Sequence, residues 1–181
     1  MVSLESHITR RLLNYLFMNP SIELYVNEIA KKLALDKRNL VKKMKELEIE
    51  GIIKFQKKGN AKFYSINSDY PLYHEYKSIL FKTGGFETRL KELVGKIKGI
   101  KEAYIYGSYA RNNMDSHSDI DLIAIGSHNI ALLQKSLNIL QKEIDREINV
   151  VNMGMEEFAK RKQNKDPFIK QVFNGKTVRI V

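Results

Sequence analysis

Two closely spaced aspartates, Asp119 and Asp121, are the residues of this 181-residue chain whose type and spacing most directly suggest chemistry. They belong to the otherwise apolar stretch 119–125, which predicts a strand. Residues two apart on a strand project to the same face, so we expect the two carboxylates side by side. Adjacent like charges need neutralisation, and Mg²⁺ prefers carboxylate oxygen together with substrate phosphate. The pair therefore predicts a site for Mg²⁺ or Mn²⁺, of the kind that stabilises in-line displacement at phosphorus.

A glycine and a serine, Gly107 and Ser108, precede this pair, with ten residues between Ser108 and Asp119. They follow the alternating run from Ala103 to Tyr106, which predicts a strand that turns sharply into a helix. Glycine lets the backbone approach a phosphate closely. The first turn of a helix offers unpaired N–H groups to an anion. The segment therefore predicts a phosphate-binding turn opposite the metal site.

The order apolar-Gly-Ser, ten residues, Asp-apolar-Asp-apolar resembles the signature of the DNA polymerase β nucleotidyltransferase superfamily. Gly-Ser-Tyr-Ala-Arg at 107–111 and Ser-Asp-Ile-Asp-Leu at 118–122 are most similar to its minimal nucleotidyltransferases, over residues 86–181. The resemblance implies a small mixed sheet flanked by helices, a divalent metal at the aspartates, and transfer of a nucleoside monophosphate from a nucleoside triphosphate to an acceptor. The acceptor stays open among a protein side chain, an RNA end and a small-molecule hydroxyl. The residues that the resemblance assigns to the nucleotide are Gly107, Ser108, Arg111 and Ser118.

One position departs from this superfamily pattern. The superfamily usually places a third aspartate on the next strand, where it helps to activate the attacking hydroxyl as a general base. That strand is predicted at residues 146–152, and Asn149, an amide that cannot accept the proton, stands where the aspartate belongs. Glu147 lies two residues earlier on the same strand face, about 7 Å along the chain. Glu147 is thus a candidate catalytic base; alternatively, it pairs with Arg146 or a neighbouring lysine on the surface.

Composition narrows the class of protein. The 43% of hydrophobic residues is compatible with a folded core, and 181 residues suffice for one domain or two small ones. The absence of cysteine excludes disulfides, thiolate catalysis and cysteine-ligated zinc. No run of 18 uncharged apolar residues predicts a membrane span, and the first seven residues lack the features of a signal peptide. We therefore expect a cytoplasmic protein without a membrane partner.

Basic charge is concentrated in the amino-terminal third. The net charge is +10, and residues 37–62 hold nine basic and three acidic side chains. This concentration suggests a polyanionic partner. Helical periodicity at 8–16, 26–33 and 40–47 predicts three helices, and 52–56 with 61–66 predict two strands joined by a basic tip at 57–60.

Three helices followed by a basic hairpin resemble the winged helix-turn-helix domain of ArsR-type regulators, over residues 1–68. In such a domain the third helix enters the major groove of duplex DNA and the hairpin flanks the backbone. A module that binds another protein is the alternative for such a domain. Those residues of the third helix and hairpin that are expected to contact DNA are Arg38, Asn39, Lys42, Lys45, Lys57 and Lys58.

Residues 69–85 predict a linker helix with an apolar stripe, beginning near Pro71 and ending at Gly84-Gly85 as a flexible joint. Its aromatic residues are expected to pack on either domain or on the same helix of a second subunit, giving a homodimer. The whole chain is thus expected to be α+β, with a winged helix at 1–68, a linker at 69–85 and a nucleotidyltransferase domain at 86–181. Two functions stay open: a nucleotidyltransferase, or a DNA-binding transcriptional regulator whose second domain senses a nucleotide without turning it over.

Overall fold

The computed structural model describes residues 4, 6–115 and 118–181 and divides the chain into two compact units, Met1–Phe86 and Glu87–Val181. The opening heptapeptide, on which the cytoplasmic expectation partly rests, is only partly described. The fold is mixed α+β. Its elements in chain order are α1 (His7–Met18), β1 (Leu24–Tyr25), α2 (Val26–Lys32), α3 (Lys37–Ile49), β2 (Ile53–Lys58), β3 (Ala61–Ile66), α4 (Tyr73–Lys82), α5 (Phe86–Gly95), β4 (Ile100–Tyr106), α6 (Gly107–Ala110), β5 (Ile120–Gly126), α7 (Ile130–Ile144), β6 (Ile148–Met153), α8 (Met155–Gln163), α9 (Pro167–Asn174) and β7 (Val178–Arg179).

The first unit consists of four helices and a small antiparallel sheet with strand order β1-β3-β2. Asp36 caps the amino terminus of α3, because its side-chain oxygen accepts from the backbone N–H of Asn39 at 2.9 Å. Leu40, Met44 and Leu47 are fully buried along one stripe of α3. The opposite face of this helix is therefore left to solvent.

Three local expectations in this unit are wrong. The hairpin turn consists of Gly59 and Asn60 alone, because the β2–β3 ladder continues to the Lys58–Ala61 pair and so places the basic tip residues within a strand. Strand β1 was not expected, since two residues carry no readable alternation. Helix α4 begins at Tyr73, after a turn in which the N–H of Tyr73 donates to the carbonyl of Tyr70.

Helix α4 packs within the first unit. Tyr76 and Leu80 are buried, and the ring of Tyr73 meets that of Phe17 edge-on with centroids 5.1 Å apart. Gly85 is packed so closely that a Cβ there would overlap Asn14 of α1. This crowding does not fit the open, flexible joint expected at Gly84-Gly85.

The second unit is built on a four-stranded mixed sheet with order β6-β5-β4-β7. Strand β4 pairs antiparallel with β5 and with β7, whereas β5 and β6 are parallel. A parallel pair needs a crossover, and the fifteen-residue helix α7 supplies it. The predicted small mixed sheet with flanking helices is therefore confirmed. Among the described helices, none has both the length and the apolar character to cross a membrane.

One face of β5 carries both buried core residues and the two aspartates. Ile123 and Ile125 belong to a buried cluster with residues of α8 and α9, including Phe158, Ile169 and Val172. Because side chains alternate along a strand, Asp119 and Asp121 project from the same face as Ile123 and Ile125, at the amino-terminal end of β5. Helices α8 and α9 therefore cover the strand beside the aspartates without covering the aspartates themselves.

A buried polar contact fixes α6 to α5. The hydroxyl of Tyr109 donates to Oε1 of Glu87 at 3.2 Å, and both side chains are buried. Burial, reinforced by the neighbouring Glu87, raises the pKa of Tyr109 well above its usual value. The tyrosine is thus held protonated as the donor, and it anchors the turn that follows β4.

Candidate functional site

A cavity of about 340 Å³ lies at the end of β4 and β5. It collects residues that are far apart in sequence, and its size is at the lower end of the range for small-molecule sites. The sequence-predicted residues that line it are Gly107, Ser108, Arg111, Asp119 and Asp121. The further lining residues are Tyr106, Gln171, Val172, Gly175 and Lys176.

The β4–β5 ladder brings the phosphate-binding turn to the aspartates. Tyr106 is paired with Asp121 in the antiparallel register, and Gly107 follows Tyr106 directly. The turn and the carboxylates are therefore neighbours because of strand pairing, whatever path the connection takes.

Gly107 is required by two independent constraints. Its φ of +71° lies in the left-handed region that side chains rarely adopt. A Cβ placed on it would also overlap Oδ2 of Asp121. Glycine is thus needed for the approach of the Asp121 carboxylate to the backbone, in addition to the approach of a phosphate that the sequence suggests.

The negative charge of Asp119 and Asp121 is only partly compensated by the residues that the structure describes. Burial, and then the charge of Asp119, raise the pKa of Asp121, while Arg111 opposes them. Burial, and then Asp121, also raise the pKa of Tyr106. The cavity therefore holds an excess of negative charge at one end, and a cation bound there would relieve it.

Asn149 is placed beside the acidic pair. It is opposite Asp121 in the parallel β5–β6 register, and its amide Nδ2 donates to Oδ2 of Asp119 at 3.2 Å. Glu147 precedes β6; its backbone carbonyl accepts from the N–H of Ile120, and its side chain is exposed and is not among the cavity-lining residues. The neutral amide is therefore closer to the predicted metal ligands than the proposed replacement base.

Two sequence-derived assignments in the phosphate turn need revision. Ser118 does not line the cavity, because its hydroxyl donates to Oδ1 of Asp115 at 2.8 Å and accepts from the Asp115 N–H at 3.0 Å. Helix α6 has only four residues, so it supplies little helix dipole to an anion. Positive charge in this cavity therefore comes mainly from the side chains that line it, such as Arg111 and Lys176.

The carboxy-terminal segment supplies lining residues that sequence reasoning missed. Gln171 and Val172 are on α9, and Gly175 and Lys176 follow it. Their position beside β4 carries no local signal, because it depends on a long-range pairing of Ile105 with Val178.

The predicted DNA-contacting residues lie in the first unit, and some of them form ion pairs with other side chains whereas others do not. Arg38, Asn39, Lys42 and Lys45 are exposed on α3. Lys58 forms an ion pair with Glu23 at 2.5 Å. The basic side chains that are exposed and have no ion-pair partner among the described residues include Arg38, Lys42, Lys45 and Lys57.

Comparison with known proteins gives a family and two similar structures. The family model described as "Polymerase beta, Nucleotidyltransferase" matches residues 88–178, just over half of the chain. No curated protein matches the chain. One similar solved structure, described as a "toxin-antitoxin with AMP-PNP", has 16% identity and a TM-score of 0.40 over 52% of this chain and 72% of that one. Another, a "putative nucleotidyltransferase from Sulfolobus solfataricus", has 17% identity and a TM-score of 0.31 over 52% and 74%.

The steric dependence of Gly107 on Asp121 is testable by a double-mutant cycle. Gly107→Ala should destabilise the second unit by about 1–2 kcal/mol from the left-handed backbone alone, and by more because of the overlap. In the Asp121→Ala background only the backbone cost should remain, which gives a coupling of about 0.5–3 kcal/mol. Urea unfolding measures each variant. Gly95→Ala, where nothing lies within 4 Å of the added Cβ, is the control, and strictly additive effects would contradict the overlap.

Proposed function

Since the chain belongs to the polymerase beta nucleotidyltransferase family, we propose that its second unit binds a nucleoside triphosphate with Mg²⁺ and transfers the nucleoside monophosphate to an acceptor hydroxyl. Mn²⁺ is the alternative ion. The observation that carries this proposal is the shared cavity of Gly107, Asp119 and Asp121, in which Arg111 only partly offsets the charge of the two acids. A divalent cation that accompanies a triphosphate supplies the remaining positive charge, and the phosphates supply oxygen ligands to that cation.

The donor set fits Mg²⁺ bound jointly with substrate. No cluster of three or more His, Cys, Asp or Glu side chains suited to a metal occurs among the residues that the structure describes. Mg²⁺ commonly takes only one or two carboxylates and completes its octahedron with water and substrate phosphate. Asp119 and Asp121 would hold the ion, which when bound supplies neutralisation of charge on the phosphate oxygens.

The reaction needs little covalent chemistry from the protein. The acceptor oxygen attacks the α-phosphorus, the bond from that phosphorus to the oxygen of the β-phosphate breaks, and pyrophosphate leaves. Arg111 and the Gly107-Ser108 turn would bind and orient the phosphates in the cavity. The hydroxyl proton passes to bound water or to Glu147, because Asn149 has no site to accept it. Positioning is therefore the main contribution of this site.

A second function is favoured by Asn149 itself. Its amide donates to Asp119, where a general base would be needed, so nucleotide binding could be retained while transfer is weak. In that case the second unit is a nucleotide sensor attached to a DNA-binding unit. Nucleotide binding is common to both functions, and only turnover separates them.

The first unit is proposed to bind duplex DNA as a winged helix. Three helices, the β2–β3 hairpin and an α3 whose outer face carries Arg38, Lys42 and Lys45 support this proposal. Lys43 of the same helix is neutralised by Glu46 at 2.7 Å, whereas these three basic side chains have no ion-pair partner among the described residues. Uncompensated positive charge therefore gathers on α3. Arg38 and Asn39, near its amino-terminal end, are the proposed base-reading residues, and a protein-binding module is the alternative.

The metal site is tested by removing one carboxylate at a time. Asp119→Asn and Asp121→Asn should each abolish the Mg²⁺-dependent part of nucleoside triphosphate binding. Both should leave the fold intact, because neutralising one acid relieves their repulsion. Calorimetric titration with ATP, GTP, CTP and UTP, with and without Mg²⁺, provides the measurement. Glu156→Gln, an exposed carboxylate of α8 outside the cavity, is the control. If the Asp119→Asn and Asp121→Asn variants bind Mg²⁺-nucleotide as tightly as the parent, the proposed metal site is wrong.

Turnover is tested at the position of the missing base. Asn149→Asp should raise the rate of nucleoside monophosphate transfer by about 10²-fold or more, as a positioned base does. Asn149→Ala removes the amide donor to Asp119 without adding a base, so it should give no such gain. Transfer of label from α-³²P-labelled triphosphates to protein, RNA or small-molecule acceptors is the measurement. No transfer by the parent or by Asn149→Asp would select the sensor function.

DNA binding is tested with charge-matched variants. Lys42→Gln/Lys45→Gln should weaken duplex binding and flatten the slope of log affinity against log salt by about 1.8, which corresponds to two phosphate contacts. Lys43→Gln/Lys54→Gln removes the same charge from lysines paired with Glu46 and Asp69, and should have little effect. Fluorescence anisotropy at several salt concentrations measures both. Equal losses of DNA affinity in the two double variants would indicate nonspecific electrostatic attraction. If the parent does not bind duplex DNA even at low salt, the first unit is instead the protein-binding module named above as the alternative.

A further inference from the structure

The last described segment of the chain closes one side of the cavity. Strand β7 pairs with β4 through Val178–Ile105 and Arg179–Tyr104. Continuing this antiparallel register by two residues brings Lys176 alongside Gly107. Lys176 indeed lines the cavity together with Gly107 and Ser108. A lysine remote in sequence is therefore held at the phosphate-binding turn by backbone pairing.

Lys176 is a cation without a partner inside the protein. It is exposed, and it forms no hydrogen bond or ion pair with any described residue. By contrast, Arg89 and Arg161 of the same unit are each bound to carboxylates, Arg89 to Glu143 and Arg161 to Glu157. Because Lys176 lines the cavity and has no protein partner there, its ammonium group is available to an anionic ligand that enters the cavity.

The cavity separates its two cations. Arg111 is the cation that acts on Asp121 and thus lies toward the acidic pair. Lys176 is placed instead by the strand register at the Gly107 turn. A ligand that contacts both side chains, with a divalent cation at the carboxylates, must carry several negative charges. A chain of phosphates meets this requirement, whereas a single phosphate does not.

We propose that Lys176 binds the distal phosphates of the nucleotide and so makes the site select triphosphates over diphosphates and monophosphates. This inference rests on the proposed nucleotide binding by the second unit. A charge-assisted contact of an ammonium with phosphate oxygen is stronger than a neutral hydrogen bond. Lysine acts on phosphate as a point charge, so its contribution follows the charge of the phosphate chain more than the identity of the base.

The test compares three phosphate lengths on one nucleoside. Full-length parent, Lys176→Gln and Lys176→Arg are titrated calorimetrically in Mg²⁺ with the tri-, di- and monophosphate of the nucleoside whose triphosphate the parent binds most tightly among ATP, GTP, CTP and UTP. Lys176→Gln should weaken triphosphate binding by about 10- to 100-fold, weaken diphosphate binding less, and leave monophosphate binding unchanged. Lys176→Arg should retain most of the selectivity.

Controls separate this inference from the proposal beneath it. Lys170→Gln removes the same charge from an exposed lysine of α9 that does not line the cavity, and it should behave as the parent. Lys176→Met, which keeps the apolar stem, replaces the glutamine variant if that variant unfolds at lower temperature than the parent. Equal losses for all three phosphates, or none, would overturn the role of Lys176 alone. A parent that binds none of the four triphosphates would overturn nucleotide binding, and this inference with it.

Discussion

The antiparallel pairing of β4 with β5 is the constraint on which the second unit depends. It places Tyr106 opposite Asp121, and thereby sets the turn at Gly107 against a carboxylate. Strand β6 then adds to β5 in parallel and presents Asn149 at the same level. Strand β7 adds to the other side of β4 and presents Lys176. One register thus aligns residues of four separate segments around one cavity.

The negative charges of Asp119 and Asp121 are only partly compensated by neighbouring groups of the fold. Asp119 receives a hydrogen bond from Asn149, and Arg111 partly offsets the charge of Asp121. Neither contact neutralises the pair, since burial and mutual repulsion still raise the pKa of Asp121. The folded chain therefore holds two acids whose charge the described residues only partly compensate. Such an arrangement is unfavourable for stability and is typical of binding sites.

Local patterns predicted the parts of this molecule that depend on neighbouring residues. The periodicity of α7, the cap of α3 at Asp36 and the pairing of Gly107 with the aspartates across a fixed gap are all readable in the sequence. Three features were not. The hydroxyl of Ser118 is bound within its own loop, β1 is too short to show alternation, and Lys176 reaches the cavity through pairing between segments about seventy residues apart. Contacts of that kind are set by tertiary packing, which no short window contains.

The overlap between a Cβ at position 107 and the carboxylate of Asp121 has an evolutionary consequence. The two positions form a single heritable unit, because a side chain at 107 becomes sterically admissible only after the acid has shrunk. Lineages that abandon the carboxylate are released to drift at the glycine, apart from the conformational penalty of its positive φ. A descendant that has replaced the glycine is therefore expected to have lost the acid as well, whereas one that has lost only the acid can still keep glycine for its backbone conformation.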